Sequence, residues 1–326
     1  MAKDLVTWLA MPKALDLFCG AGGSSAGARA AGFEIAGGLD MWPIATETFQ
    51  ANFPSAHVVT SRLEDVTLST LRKRVGEIDL LLASPECTSH TCAKGSAPRS
   101  EASRATAMQV VDYAGFFKPR WIVLENVVHM RPWSRYGTLI SRLRELGYQL
   151  SEQVLEASDF GVPQSRRRLF IVGDLKRAPR LVTSKRAGRK PTAKAILDPR
   201  SAWKFSPLFK PKRATDTLKR AQRAFDVLGR STDFLLVYYG TDGAGGWQPL
   251  DRPLRTITTV DRFALVECSG DNPMMRMLQV PELKRGMGVD DQFKLPCGTR
   301  RERIHLLGNG VCPPVMEEVV TALTQA

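Results

Sequence analysis

Between residue 13 and about residue 175, short apolar runs of strand length alternate with longer segments whose apolar positions recur at helical spacing. That alternation is the pattern of a mostly parallel sheet covered by helices. The apolar runs predict strands over Ala14–Phe18, Phe33–Leu39, Ala56–Val59, Asp79–Ala83, Trp121–Glu125, Tyr148–Leu155 and Arg168–Val172. Between them the spacing predicts helices over Gly23–Ala31, Pro43–Asn52, Arg104–Phe117 and Tyr136–Leu146, the last stopped by Gly147 as a C-terminal glycine should stop it. After Asp174 the texture changes to Lys, Arg, Pro and Thr with scattered Trp203, Phe205 and Phe209, and a second module is expected to begin. Helical spacing returns from about Met274, in Met277-Leu278, Pro281-Glu282-Leu283 and Gly286-Met287. The chain then closes with Gly308-Asn309-Gly310-Val311-Cys312-Pro313-Pro314 and a last helix, Val315–Leu323. The expected division is a core over 1–175, a second region with connecting segments over 176–275, and a return to the core over 276–326.

A chain of 326 residues with 43% hydrophobic content can bury one large core with an appendage, or two domains. Its six cysteines, Cys19, Cys87, Cys92, Cys268, Cys297 and Cys312, form no Cys-x-x-Cys pair, and no secretory leader precedes them. Reduced thiols and a cytoplasmic setting follow as expectations. No apolar run approaches the ~20 residues that span a bilayer, so no membrane partner is expected. The net charge of +13 is concentrated: Lys176 to Arg230 carries seventeen Lys and Arg against Asp198, Asp216 and Asp226 only. A block of that kind is the electrostatic footprint of a polyanion partner, the alternative being a solvated basic surface without a ligand.

The stretch Asp16-Leu17-Phe18-Cys19-Gly20-Ala21-Gly22-Gly23 is an apolar strand that ends in a tight glycine turn opening a helix. Glycines there let backbone N–H groups approach a ligand, and the helix start presents its positive end to an anion. By itself the turn suits a dinucleotide, a methyl donor or close packing of helix on strand. In open α/β sheets ligands lie beyond the C-terminal ends of the strands. At those ends stand Asp40, placed to accept ribose hydroxyls, and the Glu64-Asp65 pair, placed to hold an adenine amino group; a helix cap is the plainer role for either. The fourth strand runs into Ser84-Pro85-Glu86-Cys87, where Cys87 is a nucleophile or a small buried hydrophobe. Cys87, His90 and Cys92 match no common zinc spacing, and no metal is expected. The fifth strand ends in Glu125-Asn126-Val127, delivering an acid to the same edge. Gln164, Arg166 and Arg168 share one side of an extended segment by period two, set to grip a carbonyl oxygen or phosphate unless they merely begin a solvated strand.

In this order the motifs resemble the DNA (cytosine-5) methyltransferase family over nearly the whole chain. Asp16–Gly23 resembles the cofactor motif, Pro85-Glu86-Cys87 the nucleophile loop, Glu125-Asn126-Val127 and Gln164-x-Arg166-x-Arg168 the two central motifs, and Gly308-Asn309-Gly310-Val311 the closing one. Arg252–Thr259 and Arg276-Met277-Leu278 resemble the segments that join recognition region to core. The resemblance implies a doubly wound α/β core of the S-adenosylmethionine-dependent methyltransferase type with a smaller basic recognition domain over 176–275. It implies S-adenosylmethionine held by Phe18, Gly20, Gly22, Gly23, Asp40, Asp65, Pro85, Asn309 and Val311, with Phe18 against adenine, Asp40 on ribose and Asp65 on the adenine edge. It further implies a cytosine flipped out of double-stranded DNA, attacked at C6 by Cys87, engaged at N3 and the exocyclic amine by Glu125 and held at O2 by Arg166, with Arg168 in the same catalytic group.

Three positions depart from the family pattern. Glu86 precedes Cys87 where proline is usual, Thr88 follows it where glutamine is usual, and Met41 stands where an aromatic adenine partner is common. A carboxylate beside the thiol raises its pKa unless Arg166 or Arg168 compensates. Two rivals share the fold: a tRNA-type cytosine-5 methyltransferase, and a non-catalytic DNA-binding subunit that keeps the cofactor domain. A monomer on DNA, bacterial or phage-encoded and accompanied by a separate restriction endonuclease, completes the expectation.

Overall fold

The computed structural model of the chain describes residues 11–85, 106–183, 188, 190–239, 245–268 and 272–325. Strands β1 (Lys13–Leu17), β2 (Glu34–Asp40), β3 (His57–Thr60), β4 (Leu80–Ala83) and β5 (Trp121–Asn126) pair in parallel. Strands β6 (Gln149–Glu156) and β7 (Arg167–Asp174) add antiparallel, giving a seven-stranded sheet in the order β3-β2-β1-β4-β5-β7-β6. The chain winds outward from β1 through β2 and β3, then returns to the far side of β1 as β4. The winding direction therefore reverses between β1 and β4, and beyond their C-terminal ends lies the crevice where doubly wound sheets bind ligands.

Alternate residues on each strand feed two cores. Ala14, Leu80, Leu82 and Val123 face one, while Leu15, Leu81, Ile122 and Leu124 face the other. On the first face lie α1 (Gly23–Ala30) and α2 (Pro43–Asn52); on the second lie α3 (Leu68–Val75), α4 (Gln109–Phe117) and α5 (Tyr136–Glu145). Gly147, just past α5, has φ 97°, and its N–H donates to the Arg144 carbonyl as the sequence suggests.

A second, antiparallel sheet runs β10-β9-β11-β12-β8, built from β8 (Ser206–Pro207), β9 (Phe234–Val237), β10 (Trp247–Pro249), β11 (Phe263–Glu267) and β12 (Met274–Met277). One face, carrying Phe234, Leu236, Ala264 and Val266, packs on α6 (Thr215–Leu228). The other, carrying Leu235, Val237, Phe263 and Leu265, joins the first core of the large sheet. Helices α7 (Val280–Gly286), α8 (Arg300–Asn309) and α9 (Pro313–Thr324) return to that core. Helix α9 lies so close to α1 that a Cβ on Gly27 would sit 2.6 Å from both Met316 Cβ and the Pro313 carbonyl oxygen.

Four elements differ from the sequence expectation. Met274–Met277, read as the start of a helical stretch, is strand β12, and the helix begins only at Val280, where Gln279 and Glu282 form a capping box. The basic segment holds a regular 14-residue helix, α6, whose buried stripe of Thr217, Ala221, Ala224 and Phe225 is masked in the sequence by Lys219, Arg220 and Arg223. Helix α3 buries only Leu71 and Val75, too few apolar positions to set a period. The expected helix from Arg104 begins as a single 3-10 turn, Thr106–Met108, before α4; Arg104 lies outside the described residues. No helix among the described residues is long and apolar enough to cross a membrane.

A buried ion pair fastens β12 to α7. Arg276 donates to both carboxylate oxygens of Glu282, at 2.7 and 2.6 Å, and the backbone N–H groups of Gln279 and Asp198 donate to the same carboxylate at 2.7 and 2.9 Å. Removing one partner strands the other charge in the core, which costs about 3–5 kcal/mol. Glu282→Ala should therefore lose about that much unfolding free energy in urea, whereas a loss below ~1 kcal/mol would show that the pair is dispensable.

Candidate active site

Beyond the ends of β1, β2, β4 and β5 lies a cavity of about 460 Å³, within the roughly 300–1,000 Å³ of ligand pockets. Phe18 begins the turn after β1 in the left-handed region, with φ 60°, an uncommon conformation for a side-chain-bearing residue that clusters at functional sites. The turn is stitched by the Cys19 N–H to the Leu39 carbonyl at 2.9 Å and the Gly22 N–H to the Cys19 carbonyl at 2.8 Å. Its three glycines do different jobs. Gly20, φ 52°, borders the cavity and has open space where a Cβ would stand. A Cβ on Gly22 would strike the Phe53 ring at 2.4 Å, and one on Gly23 the Val311 carbonyl oxygen at 2.3 Å. Gly22 thus seats the turn on the core outside the cavity wall, while Gly23, in the wall, lets α1 meet the closing motif.

Asp40, at the end of β2, closes the turn from the side. Its carboxylate accepts the Gly20 N–H at 3.0 Å and the Trp42 N–H at 2.9 Å while lining the cavity. Burial raises its pKa, and the backbone N–H groups offset part of the rise. Beneath it Asp16 accepts the Ser25 hydroxyl at 2.7 Å, and burial pushes that carboxyl up to about 7.

Asn126 fixes the other rim, donating to the Pro85 carbonyl at 3.1 Å and accepting the Val127 N–H at 2.8 Å. Pro85 lines the cavity at the entry to the cysteine loop; Cys87, with Glu86, Thr88, His90 and Cys92, lies outside the described residues. Glu125 is 5% exposed and pairs with Arg168, whose Nε stands 3.1 Å from its Oε1. Burial raises the Glu125 pKa, against the pull of the Arg168 and Arg166 charges. The group is thereby disposed to hold a proton.

Arg166 and Arg168 both line the cavity, but their surroundings differ. Arg166 donates to the carbonyls of Ile257 at 3.0 Å and of Gly308 and Gly310 at 2.9 Å each. Gln164, fully buried, donates to the Gly286 carbonyl at 2.9 Å and accepts the Ile257 N–H at 2.8 Å. The Gln-x-Arg pair is thus a brace that pulls the 254–257 and 308–310 segments against the sheet. Gly308 packs there without a side chain, since a Cβ would stand 2.3 Å from the Thr258 carbonyl carbon. Asn309 and Val311 border the cavity as a result.

Of the residues singled out from the sequence, Phe18, Gly20, Gly23, Asp40 and Pro85 converge on this cavity with Glu125, Arg166, Arg168, Asn309 and Val311. Gly22 stands behind the wall, and Asp65, exposed in the 3-10 turn Leu63–Asp65, is not part of it. Trp42 and His305 also line the cavity, with ring centroids 5.2 Å apart and planes at 67°. Met41, where an aromatic was looked for, is 60% exposed at the rim, and the aromatic contribution comes from the next residue. His305 carries no local sequence signal, because α8 brings it in from the far end of the chain. Among the described residues no group of three or more His, Cys, Asp or Glu side chains is placed to hold a metal ion.

The doubly wound sheet with a cofactor-sized cavity at its switch point defines the fold of S-adenosylmethionine-dependent methyltransferases. Solved structures of the same fold include the Schizosaccharomyces pombe Dnmt2 methyltransferase (TM-score 0.67, 18% identity, 96% of this chain and 98% of that one) and the Entamoeba histolytica methyltransferase EhMeth (0.68, 16%, 97% and 99%). Residues 12–325 match the family described as C-5 cytosine-specific DNA methylase, and the chain belongs to that family. In sequence it is similar to the type II methyltransferase M.HgiDI of Herpetosiphon aurantiacus, 34% identical over 165 residues, 49% of this chain and 52% of that one. It also resembles the tRNA (cytosine(38)-C(5))-methyltransferase of Rattus norvegicus, 27% identical over 171 residues, 51% and 43%. The chain spans about half the length of the relatives it matches.

Family and fold imply S-adenosylmethionine, and the cavity fits it. Trp42 and Phe18 offer aromatic faces, Asp40 an acceptor, and the start of α1 N–H groups with no side-chain cap. Since edge-on aromatic pairs contribute about 0.5–1.5 kcal/mol, the His305 ring steadies Trp42. His305→Ala should weaken S-adenosylhomocysteine binding by roughly two- to tenfold in calorimetry, and His305→Phe should restore it. Equal affinity in all three proteins would remove His305 from the cofactor site.

Proposed function

We propose that the protein transfers a methyl group from S-adenosylmethionine to C5 of cytosine in double-stranded DNA, through base flipping and a covalent bond between Cys87 and C6. The observation that carries this reading is the meeting of Glu125, whose pKa burial raises, with Arg168 in one wall of the cavity, which also takes in the Phe18–Gly20 turn and the Pro85 entry to the cysteine loop.

Cytosine C5 is too weak a nucleophile to accept a methyl group unaided. In the proposed sequence the Cys87 thiolate adds to C6 while Glu125 gives its proton to N3, forming an enamine that is nucleophilic at C5. The bound cofactor supplies the methyl group. A base then removes the C5 proton, the C6–S bond breaks, and N3 returns its proton to Glu125. Arg166, whose N–H groups serve the carbonyls of Ile257, Gly308 and Gly310, sits where it shapes the pocket; Arg168 is the guanidinium that faces the carboxyl. Contact with cytosine O2, expected of Arg166, is therefore assigned to the Arg166–Arg168 pair together. The region 176–275, with α6 and the basic block, is assigned to the duplex, on whose phosphates its cations position the protein. Action as a monomer beside a separate restriction endonuclease belongs to the same reading; the type II names of relatives such as M.HgiDI support the endonuclease partner. A tRNA substrate is the second reading, favoured by the likeness to the rat tRNA enzyme.

Single-turnover methyl transfer to unmethylated duplex DNA and to unmodified tRNA separates the two substrates. Transfer to tRNA alone would overturn the DNA reading. General acid catalysis contributes about 10²–10⁴-fold, so Glu125→Gln should slow transfer to duplex by that factor. Because transfer requires protonated Glu125, the rate should fall as pH rises through its elevated pKa. Arg168→Met removes the charge that lowers that pKa most, and should move the alkaline limb to higher pH. A limb that stays in place would show that Glu125 is not the acid.

A further inference from the structure

Next to the large cavity, and sharing Glu125 with it, lies a second, much smaller cavity of about 10 Å³, room for one water molecule. Glu125, Arg166 and Arg168 contribute to its walls as they do to the large cavity, and Cys312, Phe170 and Val315 are among the residues that line the rest. Cys312 is 3% exposed and lies between the closing motif and α9. Glu125 Oε1 is sealed from solvent and accepts no hydrogen bond; the Arg168 Nε beside it stands at 3.1 Å but is not aligned to donate. A carboxylate oxygen so buried, ion-paired but accepting no hydrogen bond, is costly, and such atoms in native proteins are satisfied by a donor nearby.

We propose that this small cavity holds one ordered water that donates a hydrogen bond to Glu125 Oε1 and accepts one from the Cys312 thiol, making Cys312 a positioning residue for Glu125. Burial pushes the Cys312 thiol up to about 11, so at neutral pH it keeps the proton such a bond requires. The water decides which carboxyl oxygen carries the catalytic proton. With Oε1 committed as an acceptor, the proton resides on Oε2, the oxygen left to face the large cavity. It also locks the carboxyl plane, so that Glu125 meets the base without rotating.

The inference rests on the reading of Glu125 as the acid. Its test therefore includes a measurement independent of catalysis. A crystal structure of the full chain at ~1.5 Å resolution should show one water within hydrogen-bonding distance of Glu125 Oε1 and Cys312 Sγ. Its absence from an otherwise ordered site would overturn the proposal whatever the enzyme does.

Cys312→Ser keeps a donor and should leave the water and the transfer rate near the parent values. Cys312→Val fills the cavity and removes the donor. Displaced geometry costs up to about 100-fold, so Cys312→Val should slow single-turnover transfer by about ten- to hundredfold with cofactor affinity unchanged. The charged groups around Cys312 are Arg166, Arg168, Glu125 and Glu156, the two guanidinium groups opposing the two carboxyls in their effect on the thiol. None of them changes in these variants. Loss of a donor to the carboxylate disfavours its charged form, so Cys312→Val should also shift the alkaline limb to higher pH, a change that loosened packing alone does not produce. Cys312→Ala, which leaves room for water but no thiol, should fall between the two. Equal rates and superimposable pH profiles for the Val and Ser variants would refute the positioning role, while intact methyl transfer by Glu125→Gln would instead refute the acid reading on which it stands.

Discussion

The buried guanidinium of Arg166 joins carbonyls that lie 91, 142 and 144 residues further along the chain. A charge in that position is tolerable only while its donors are met, so the folded state must bring the 257 and 308–310 segments together over β7. Once they are there, Gly308 can pack on Thr258, Val311 can reach Gly23 at the start of α1, and the cavity acquires its floor. Gln164 repeats the device one turn of the extended segment earlier, tying Ile257 and the end of α7 to the same strand entry. The two lobes consequently share a core instead of meeting at a polar interface, and the second sheet lends Leu235, Val237, Phe263 and Leu265 to it.

Within one motif, Arg166 both braces the wall through three backbone carbonyls and lines the cavity. Arg168, two residues on, faces the carboxyl of Glu125. The same economy operates in the glycine turn, where Gly22 and Gly23 leave room for Phe53 and Val311, and Gly20 and Gly23 border the cavity. Of the readings left open from the sequence, close packing accounts for Gly22 and Gly23.

The large sheet was legible in the sequence because its strands are buried on both faces and read as unbroken apolar runs, Leu80–Ala83 most clearly. The site residues at strand ends, Asp40 and Glu125, followed from the same pattern. What the sequence hid depended on partners distant in the chain. Strand β12 takes its character from pairing with β11 and β8, and Met-Met-Arg-Met has no strand period of its own. Helix α6 conceals its apolar stripe among cations, and His305 enters the cavity only because α8 returns to the first core. Asp65, selected for following the third strand, ends in an exposed turn outside the wall because that strand lies at the edge of the sheet, two strands from the switch point.

The proposed reaction is methylation of cytosine in DNA at this cavity, through Cys87. The most direct measurement is expression of the chain, beside a Cys87→Ala variant, in cells without cytosine methylation, followed by base-resolution mapping of 5-methylcytosine across the genome. Methylation should be confined to a defined sequence context with the parent chain and absent with the variant. Methylation that persists in Cys87→Ala, or a genome left unmethylated by a folded parent chain, would contradict the proposed reaction.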